Sequence, residues 1–283
     1  MATALTSVHD IESELASLRV AENSDHPFQR TSVMTHIAWV PEEWVEAAED
    51  VLAGLAERHP SRTIALFPHA GEEHAIEGSV EVHCFPVGEG RSVCTETIRI
   101  RLGGLAASVP ASVVEPLLLP DLPVFLRWRG LPPFGAEHFE SLLSVVDRLI
   151  VDSTEWTDLP APYERLAECF DRVTVSDIAW ARTSRWRPML ASLWPDIADA
   201  GRIRVKGTAA QAQLLAGWLR SRLKRDIELE HEPHDRLVGV DIGGEPTPFP
   251  PGDPPQPADV LSDELDRFSR DRVYEDAVRA AAA

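Results

Sequence analysis

Histidine, glutamate and cysteine side chains crowd one short stretch of the sequence, and these are residue types that bind transition metals. The stretch holds His69, Glu72, Glu73, His74, His83 and Cys84. Its first part is a polar connection between two apolar segments, where a solvated loop is a simpler interpretation than a metal site. The sequence therefore predicts neither a bound metal nor another cofactor.

Two of the three cysteines, Cys84 and Cys94, flank a short turn and are a candidate redox pair. The competing interpretation is that each is a buried free thiol on an alternating strand, because nothing in the neighbouring sequence obviously lowers a thiol pKa. No C-x-x-C motif occurs, and three cysteines cannot all pair within one chain. We therefore expect a reducing compartment and no disulfide framework, and redox activity of the pair stays an open alternative.

The common catalytic motifs are missing from the sequence. It contains no G-x-x-x-x-G-K-S/T, G-x-G-x-x-G, G-x-S-x-G or H-E-x-x-H. The Asp-x-Gly-Gly turn within 240–244 resembles a phosphate loop of sugar kinases, but only a proline-rich segment and one helix follow it, so a plain exit from a strand is favoured. The sequence therefore predicts a protein that is not an enzyme. The alternative is a phosphosugar- or nucleotide-binding α/β enzyme that uses arginines at strand ends.

Arginine and tryptophan alternate in 127–129 and again in 185–187. Guanidinium and indole groups side by side are typical of protein interfaces and anion contacts. Because a strand points Trp128 away from both neighbouring arginines, burial of this tryptophan in the core competes with that interpretation, and Asp121 could simply pair with one arginine. The residues predicted to bind a partner protein are Asp121, Arg127, Trp128, Arg129, Trp180, Arg182, Arg185, Trp186 and Arg187.

The chain is acidic, with 27 Lys and Arg against 46 Asp and Glu and a formal net charge of −19. Such a charge repels phosphate backbones and anionic lipid headgroups, which argues against nucleic acid and membranes as partners. No segment has the roughly 18 apolar residues of a spanning helix, and the first thirty residues lack the basic start and apolar core of a signal peptide. We therefore expect a cytoplasmic protein.

Apolar runs alternate with amphipathic stretches up to residue 172, which is typical of a layered α/β domain. An N-terminal helix is predicted within 1–25, and the N-terminal α/β domain within 26–172. The predicted strands are 35–40, 63–67, 80–84, 94–100, 123–128 and 148–152, and the predicted helices are 41–58, 110–119 and 139–146. The segments 80–84 and 94–100 alternate polar and apolar residues and form a predicted hairpin, so the sheet is expected to be mixed.

A smaller α/β domain is predicted over 173–244. Its first element is a helix that is capped by Asp177 and runs toward Trp194. Three strands, at 202–205, 227–230 and 237–242, and an amphipathic helix at 211–222 complete the predicted domain. Proline density predicts an extended linker over 245–258, followed by one C-terminal amphipathic helix over 259–283.

A set of short segments occurs in an order that is specific in combination. The segments are His59–Arg62, Cys94–Glu96, Leu117–Pro123 with Arg127-Trp128, Ile150–Ser153, Asp177–Arg182 with Trp186-Arg187, Ala216–Leu219 and Leu265–Tyr274. Together they resemble the glucose-6-phosphate dehydrogenase assembly protein family, OpcA, although that family commonly has paired tryptophans at the position of Arg127-Trp128.

The resemblance implies a non-catalytic subunit whose partner is glucose-6-phosphate dehydrogenase. It implies an allosteric activator that promotes the active oligomer of that enzyme and so supports NADPH production in the oxidative pentose phosphate pathway. It carries over no catalytic residue.

Overall fold

The structure, a computed structural model, divides the chain between Ile150 and Val151 into two units, Met1–Ile150 and Val151–Ala283. It describes residues 5–22, 32–49, 60–71, 75–86, 92–253 and 257–283. The predicted domain boundary at residue 172 stays a prediction.

Apolar strands form the centre of a mixed sheet in the first unit. β1 (Thr35–Trp39) is buried along its whole length and lies between two parallel neighbours, β2 (Arg62–Pro68) and β5 (Val124–Trp128). β6 (Arg148–Val151) runs parallel to β5 on the other side. Strands covered on both faces are near-continuous apolar runs, which is the pattern that predicted them.

The predicted hairpin is confirmed. β3 (Ala75–Pro86) and β4 (Ser92–Gly103) pair antiparallel, and β4 also pairs parallel with β2. Within the first unit the strand order is therefore β3-β4-β2-β1-β5-β6, and the predicted mixed α/β class is confirmed.

The N-terminal helix α1 (Val8–Glu22) packs on β3. Ile11 and Leu15 are the buried apolar side chains of this helix. Gly78 allows this close approach, because a Cβ atom at that position would lie 2.7 Å from the Ile11 side chain.

Short helices complete the first unit. They are α2 (Gly104–Ser108), α3 (Ala111–Val114), a 3-10 turn at Glu115–Leu117, and α4 (Glu137–Leu143). A 3-10 turn at Glu42–Trp44 and helical residues 45–49 begin the helix predicted after β1, but its remainder to residue 58 lies outside the described residues. The predicted loop residues Glu72, Glu73 and His74 also lie outside them.

The second unit contains a four-stranded sheet with the order β11-β10-β8-β9. Its strands are β8 (Arg202–Gly207), β9 (Glu228–Pro233), β10 (Gly239–Ile242) and β11 (Glu245–Pro246), and β7 (Thr174–Asp177) precedes them in the unit. β11 is an edge strand within the predicted linker, where proline is tolerated. β8 and β9 are parallel and are connected by α8 (Ala209–Leu223), whose first turn is closed by a capping box between Thr208 and Gln211.

The remaining helices of the second unit are α5 (Pro162–Cys169), α6 (Ile178–Ala181), α7 (Trp186–Ala191), α9 (Pro257–Leu265) and α10 (Arg272–Ala282). The helix predicted from Asp177 toward Trp194 is two helices, and Pro188 falls in the first turn of α7, where a missing N–H breaks no helical bond. The predicted single C-terminal helix is also two, because Asp271 accepts a hydrogen bond from the Tyr274 N–H at 3.0 Å and starts a new helix.

The preferred interpretation of Cys84 and Cys94 as free thiols was wrong, and the structure pairs them, as the alternative allowed. Cys84 and Cys94 lie directly opposite each other in β3 and β4 and form a disulfide, with their Cα atoms 4.0 Å apart. The hairpin register that brings them together is set by the strand pairing, which the cysteine spacing alone does not fix. Cys169 is buried and is not in a disulfide. None of the helices in the described part of the chain is long and apolar enough to cross a membrane.

Candidate functional site: the arginine and tryptophan clusters

Trp128 lies in the core of the first unit. Only 2% of its surface is exposed, and it stacks on Trp39 of the neighbouring strand with ring centroids 4.9 Å apart. Phe139 of α4 meets the indole edge-on at 5.1 Å, and His138 packs against both tryptophans. Burial lowers the pKa of His138 and favours its neutral form at pH 7. Of the two interpretations of Trp128, burial in the core therefore describes its position.

The arginines beside Trp128 have different surroundings. Arg127 is buried, because β5 is covered on both faces, and it donates a hydrogen bond to the carbonyl of Trp128. Arg129 lies over the Trp44 ring at 5.7 Å and donates to the Ala47 carbonyl at 3.1 Å. Asp121 is exposed in a turn with a φ of 63°. Arg127, predicted to bind a partner protein, is therefore not at the surface of the first unit.

Trp180 is the centre of the corresponding cluster in the second unit. It is buried, and its indole Nε1 donates to Asp271 at 2.8 Å. The Arg187 guanidinium stacks on the ring, 3.7 Å from its centroid. Burial lowers the pKa of Arg187 to about 10, so this side chain is still a cation at neutral pH. The cluster ties α6 and α7 to the N-terminus of α10.

Arg185 and Trp186 hold the proline-rich segment. Arg185 donates hydrogen bonds to the carbonyls of Pro250 at 2.9 Å and Pro251 at 3.1 Å. Trp186 is buried and meets the Phe249 ring edge-on at 5.2 Å. The first part of the predicted linker is therefore fastened to α7.

Arg182 belongs to a polar network around Asp177. It forms an ion pair with Asp152 at 3.0 Å. Asp177 caps α6 by accepting from the Ala179 N–H at 2.8 Å, and its other oxygen accepts from the Ser153 hydroxyl at 2.6 Å. Burial, reinforced by the neighbouring carboxylate of Asp152, raises the pKa of Asp177 to about 7.

Two tyrosines close this network. Tyr163 donates to the Ser153 hydroxyl at 3.0 Å, and the Tyr274 hydroxyl lies 3.4 Å from Asp177. Both tyrosines, Ser153 and Asp177 are almost fully buried. A substrate has no route to these groups without opening the fold, so the arrangement is suited to hold α5, α6 and α10 together and not to catalysis.

The possible metal ligands do not assemble in the structure. Within the residues that it describes, no group of three or more His, Cys, Asp or Glu side chains is arranged to hold a metal ion. Cys84 of the predicted stretch is in the disulfide instead.

Comparison with known proteins gives the family. Residues 53–168 match a family described as the glucose-6-phosphate dehydrogenase subunit N-terminal domain, and residues 173–244 match one described as the C-terminal domain of that subunit. The chain belongs to the OpcA family. The sequence-based resemblance is confirmed.

Curated OpcA relatives are longer proteins. One from Nostoc punctiforme is 31% identical over 185 residues, which are 60% of this chain and 39% of the relative. One from Synechococcus elongatus is 28% identical over 229 residues, which are 71% of this chain and 50% of the relative. Both carry the name OxPP cycle protein OpcA. This chain thus spans half or less of their length, and no solved structure matches it.

The segments that carry the OpcA resemblance also meet in the first unit. Arg62 and Glu96 form a buried ion pair with a distance of 2.7 Å, and Arg19 of α1 binds the same carboxylate at 2.5 Å. Burial alone would raise the pKa of Glu96, but hydrogen bonds and the charges of the two arginines lower it. Through Arg19, this buried carboxylate anchors α1 to the sheet.

Sequence reasoning missed most partners of the predicted residues. Asp152 and Ser153 stood in an OpcA-like segment, and Asp177 was predicted as a helix cap, but nothing placed them together. Asp271 and Tyr274 act from α10, about a hundred residues later in the chain. The OpcA-like segments of the sequence pointed to these positions. Which residues contact each other, however, depends on the tertiary fold.

Proposed function

We propose that this protein is a non-catalytic assembly factor that binds glucose-6-phosphate dehydrogenase and promotes its active oligomer. The observation that carries the proposal is the match of two consecutive segments to families described as domains of a glucose-6-phosphate dehydrogenase subunit. The names of the relatives support a role in the oxidative pentose phosphate pathway. Binding of the dehydrogenase, its activation and a location in the cytoplasm are parts of this proposal.

The closed polar networks support a non-catalytic role. In the second unit the most strongly perturbed carboxyl, Asp177, has its oxygens occupied by helix and hydroxyl donors. A perturbed acid in an open cleft would indicate catalysis, whereas here the perturbation comes from burial in the core. The polar groups of this network therefore stabilise the fold.

Trp194 supports a docking surface on the second unit. It lies between α7 and the 3-10 turn Asp196–Asp199, and 65% of its surface is exposed. Exposed tryptophan is typical of interface hot spots, since one side chain supplies a large apolar contact. Phe249 is similarly exposed but already packs on Trp186, so we select Trp194 as the anchor. Partner binding by the arginine and tryptophan residues that the sequence predicted, and by Asp121, stays a prediction.

Activation requires unequal binding to two states of the dehydrogenase. An assembly factor shifts an oligomer equilibrium only by the ratio of its affinities for the active and the less active form. A difference of about 1–3 kcal/mol changes that equilibrium roughly five- to hundredfold. The activating effect should therefore appear both in the mass distribution of the dehydrogenase and in its turnover.

The test is a titration of the dehydrogenase with this protein, read by affinity, mass photometry and NADPH formation. Wild type should bind, increase the larger oligomer and raise activity, and Trp194→Ala should weaken binding about tenfold or more. Leu105→Ala is the matched control, because Leu105 is 66% exposed but lies in the first unit. Absence of binding by the wild type refutes the function, while equal affinities of Trp194→Ala and wild type refute only the docking surface.

A further inference from the structure

The first unit contains a cavity of about 610 Å³ at the carboxyl ends of parallel strands. Val40 follows β1, Pro68 ends β2, and Arg101 lies near the end of β4. Crevices at this edge of an open α/β sheet are the usual place for small ligands, and the volume is in the range of small-molecule sites. The position alone does not identify a ligand, but the side chains that line the cavity restrict its chemistry.

Arg101 is the available cation of this cavity. Arg99, the other arginine in the lining, is 2.9 Å from Glu81 and already forms an ion pair. Arg101 is exposed and, within the described part of the chain, forms no ion pair, although Glu77 lies opposite it in the β3–β4 register. A planar guanidinium in this position can bind a phosphate group through two parallel hydrogen bonds.

The rest of the lining argues against a simple anion. Three carboxylates, Glu42, Glu49 and Glu77, share the cavity with the arginines, and they repel a ligand that is anionic throughout. Carboxylates do accept hydrogen bonds from hydroxyl groups. Phe67 and Val45 add an apolar wall on which the C–H face of a sugar ring can pack.

We propose that this cavity binds a phosphorylated sugar, with Arg101 on the phosphate and Glu77 on the hydroxyl groups. A neutral sugar would leave the guanidinium without an anionic partner, and free phosphate would leave the carboxylates and the apolar wall unused. The proposal goes beyond the assembly function, because binding needs residues of the first unit alone and no dehydrogenase.

Isothermal titration calorimetry of the full chain, without dehydrogenase, tests the proposal with glucose 6-phosphate, ribose 5-phosphate, glucose and inorganic phosphate. At least one sugar phosphate should bind more tightly than both glucose and inorganic phosphate. Arg101→Gln should weaken that binding tenfold or more, and Glu77→Gln should weaken the sugar phosphate more than inorganic phosphate. Arg236→Gln, at an exposed position of the second unit, is the matched control and should bind like wild type.

Three results would overturn the proposal. They are no binding of either sugar phosphate at millimolar concentration, equal affinity for sugar phosphate and inorganic phosphate, and unchanged affinity in Arg101→Gln. Loss of thermal stability in Arg101→Gln is checked by its melting curve, and Glu77→Gln then provides an independent test. The dehydrogenase titration described above is unaffected by any of these results, so the two proposals fail separately.

Discussion

Replacement of Asp177 by asparagine is expected to remove a pH-dependent loss of stability. Burial and the carboxylate of Asp152 raise the pKa of Asp177 from its ordinary value of 3.8 to about 7 in the folded protein. Between these values the folded state holds a proton that the unfolded state has released, so the free energy of unfolding falls as the pH rises. The stabilising contribution of the protonated group is complete below the unfolded pKa and is lost as the pH rises through the folded pKa.

The two pKa values give the size of the effect. Between pH 5.5 and pH 8 they correspond to a decrease of about 2 kcal/mol in the free energy of unfolding. This window lies above the isoelectric point of about 4.9, where the protein carries net negative charge. Asparagine fits the site for two reasons. Oδ1 of Asp177 accepts hydrogen bonds from the N–H groups of Ser153 and Ala179, and the amide oxygen of asparagine can accept them too. The hydroxyls of Ser153 and Tyr274 lie at Oδ2 and can rotate to accept hydrogen bonds from the amide NH2 group.

Urea denaturation of the wild type and Asp177→Asn across this pH window measures the difference. The stability of the wild type should fall by about 2 kcal/mol relative to that of the variant. Asp226→Asn, at an exposed position, should keep the pH dependence of the wild type. Parallel curves for wild type and Asp177→Asn would mean that the surrounding donors keep Asp177 ionised throughout, and the reasoning from burial would be wrong.

Two further variants test contacts within the units. Trp180→Phe removes the indole donor to Asp271 and should lower the free energy of unfolding by about 1–2 kcal/mol. The control, Trp194→Phe at an exposed position, should change it little. Equal urea denaturation midpoints for the two variants would contradict this expectation. Cys84→Ser with Cys94→Ser removes a cross-link between residues ten positions apart and should cost about 2–3 kcal/mol of stability under non-reducing conditions. Dithiothreitol should lower the melting temperature of the wild type but not that of the double variant. An unchanged melting temperature of the reduced wild type would show that the disulfide does not stabilise the fold.

The central strands were predictable because their burial leaves a direct trace in the sequence. Thr35–Trp39 and Val124–Trp128 are covered on both faces, and apolar residues make up most of each strand, although Thr35, His36 and Arg127 are polar. The hairpin was visible for a different reason, since β3 and β4 alternate between a covered and a more polar face. β7 was missed, because the four residues Thr174–Asp177 give too short a pattern to distinguish a strand from the start of the next helix.

The candidate site was less predictable because it depends on contacts that are distant in sequence. The spacing of Arg127 and Trp128 correctly placed them on a strand, but it did not show that both faces of that strand are covered. Arg187 was expected at a surface, and the structure instead stacks it on Trp180. The exposed Trp194 has no distinguishing neighbours in the sequence, so only its exposure in the fold draws attention to it.

The contact between α8 and α10 determines how this protein can be dissected. A Cβ atom on Gly217 would lie 2.2 Å from the carbonyl oxygen of Ala277, so the two helix backbones touch at that point. A fragment that stops at residue 244, where the second family match ends, would uncover this glycine and remove the acceptor of the Trp180 indole together with Tyr274. The last helix is therefore a structural part of the second unit, and a truncated version lacking it would have an opened core in place of the native fold.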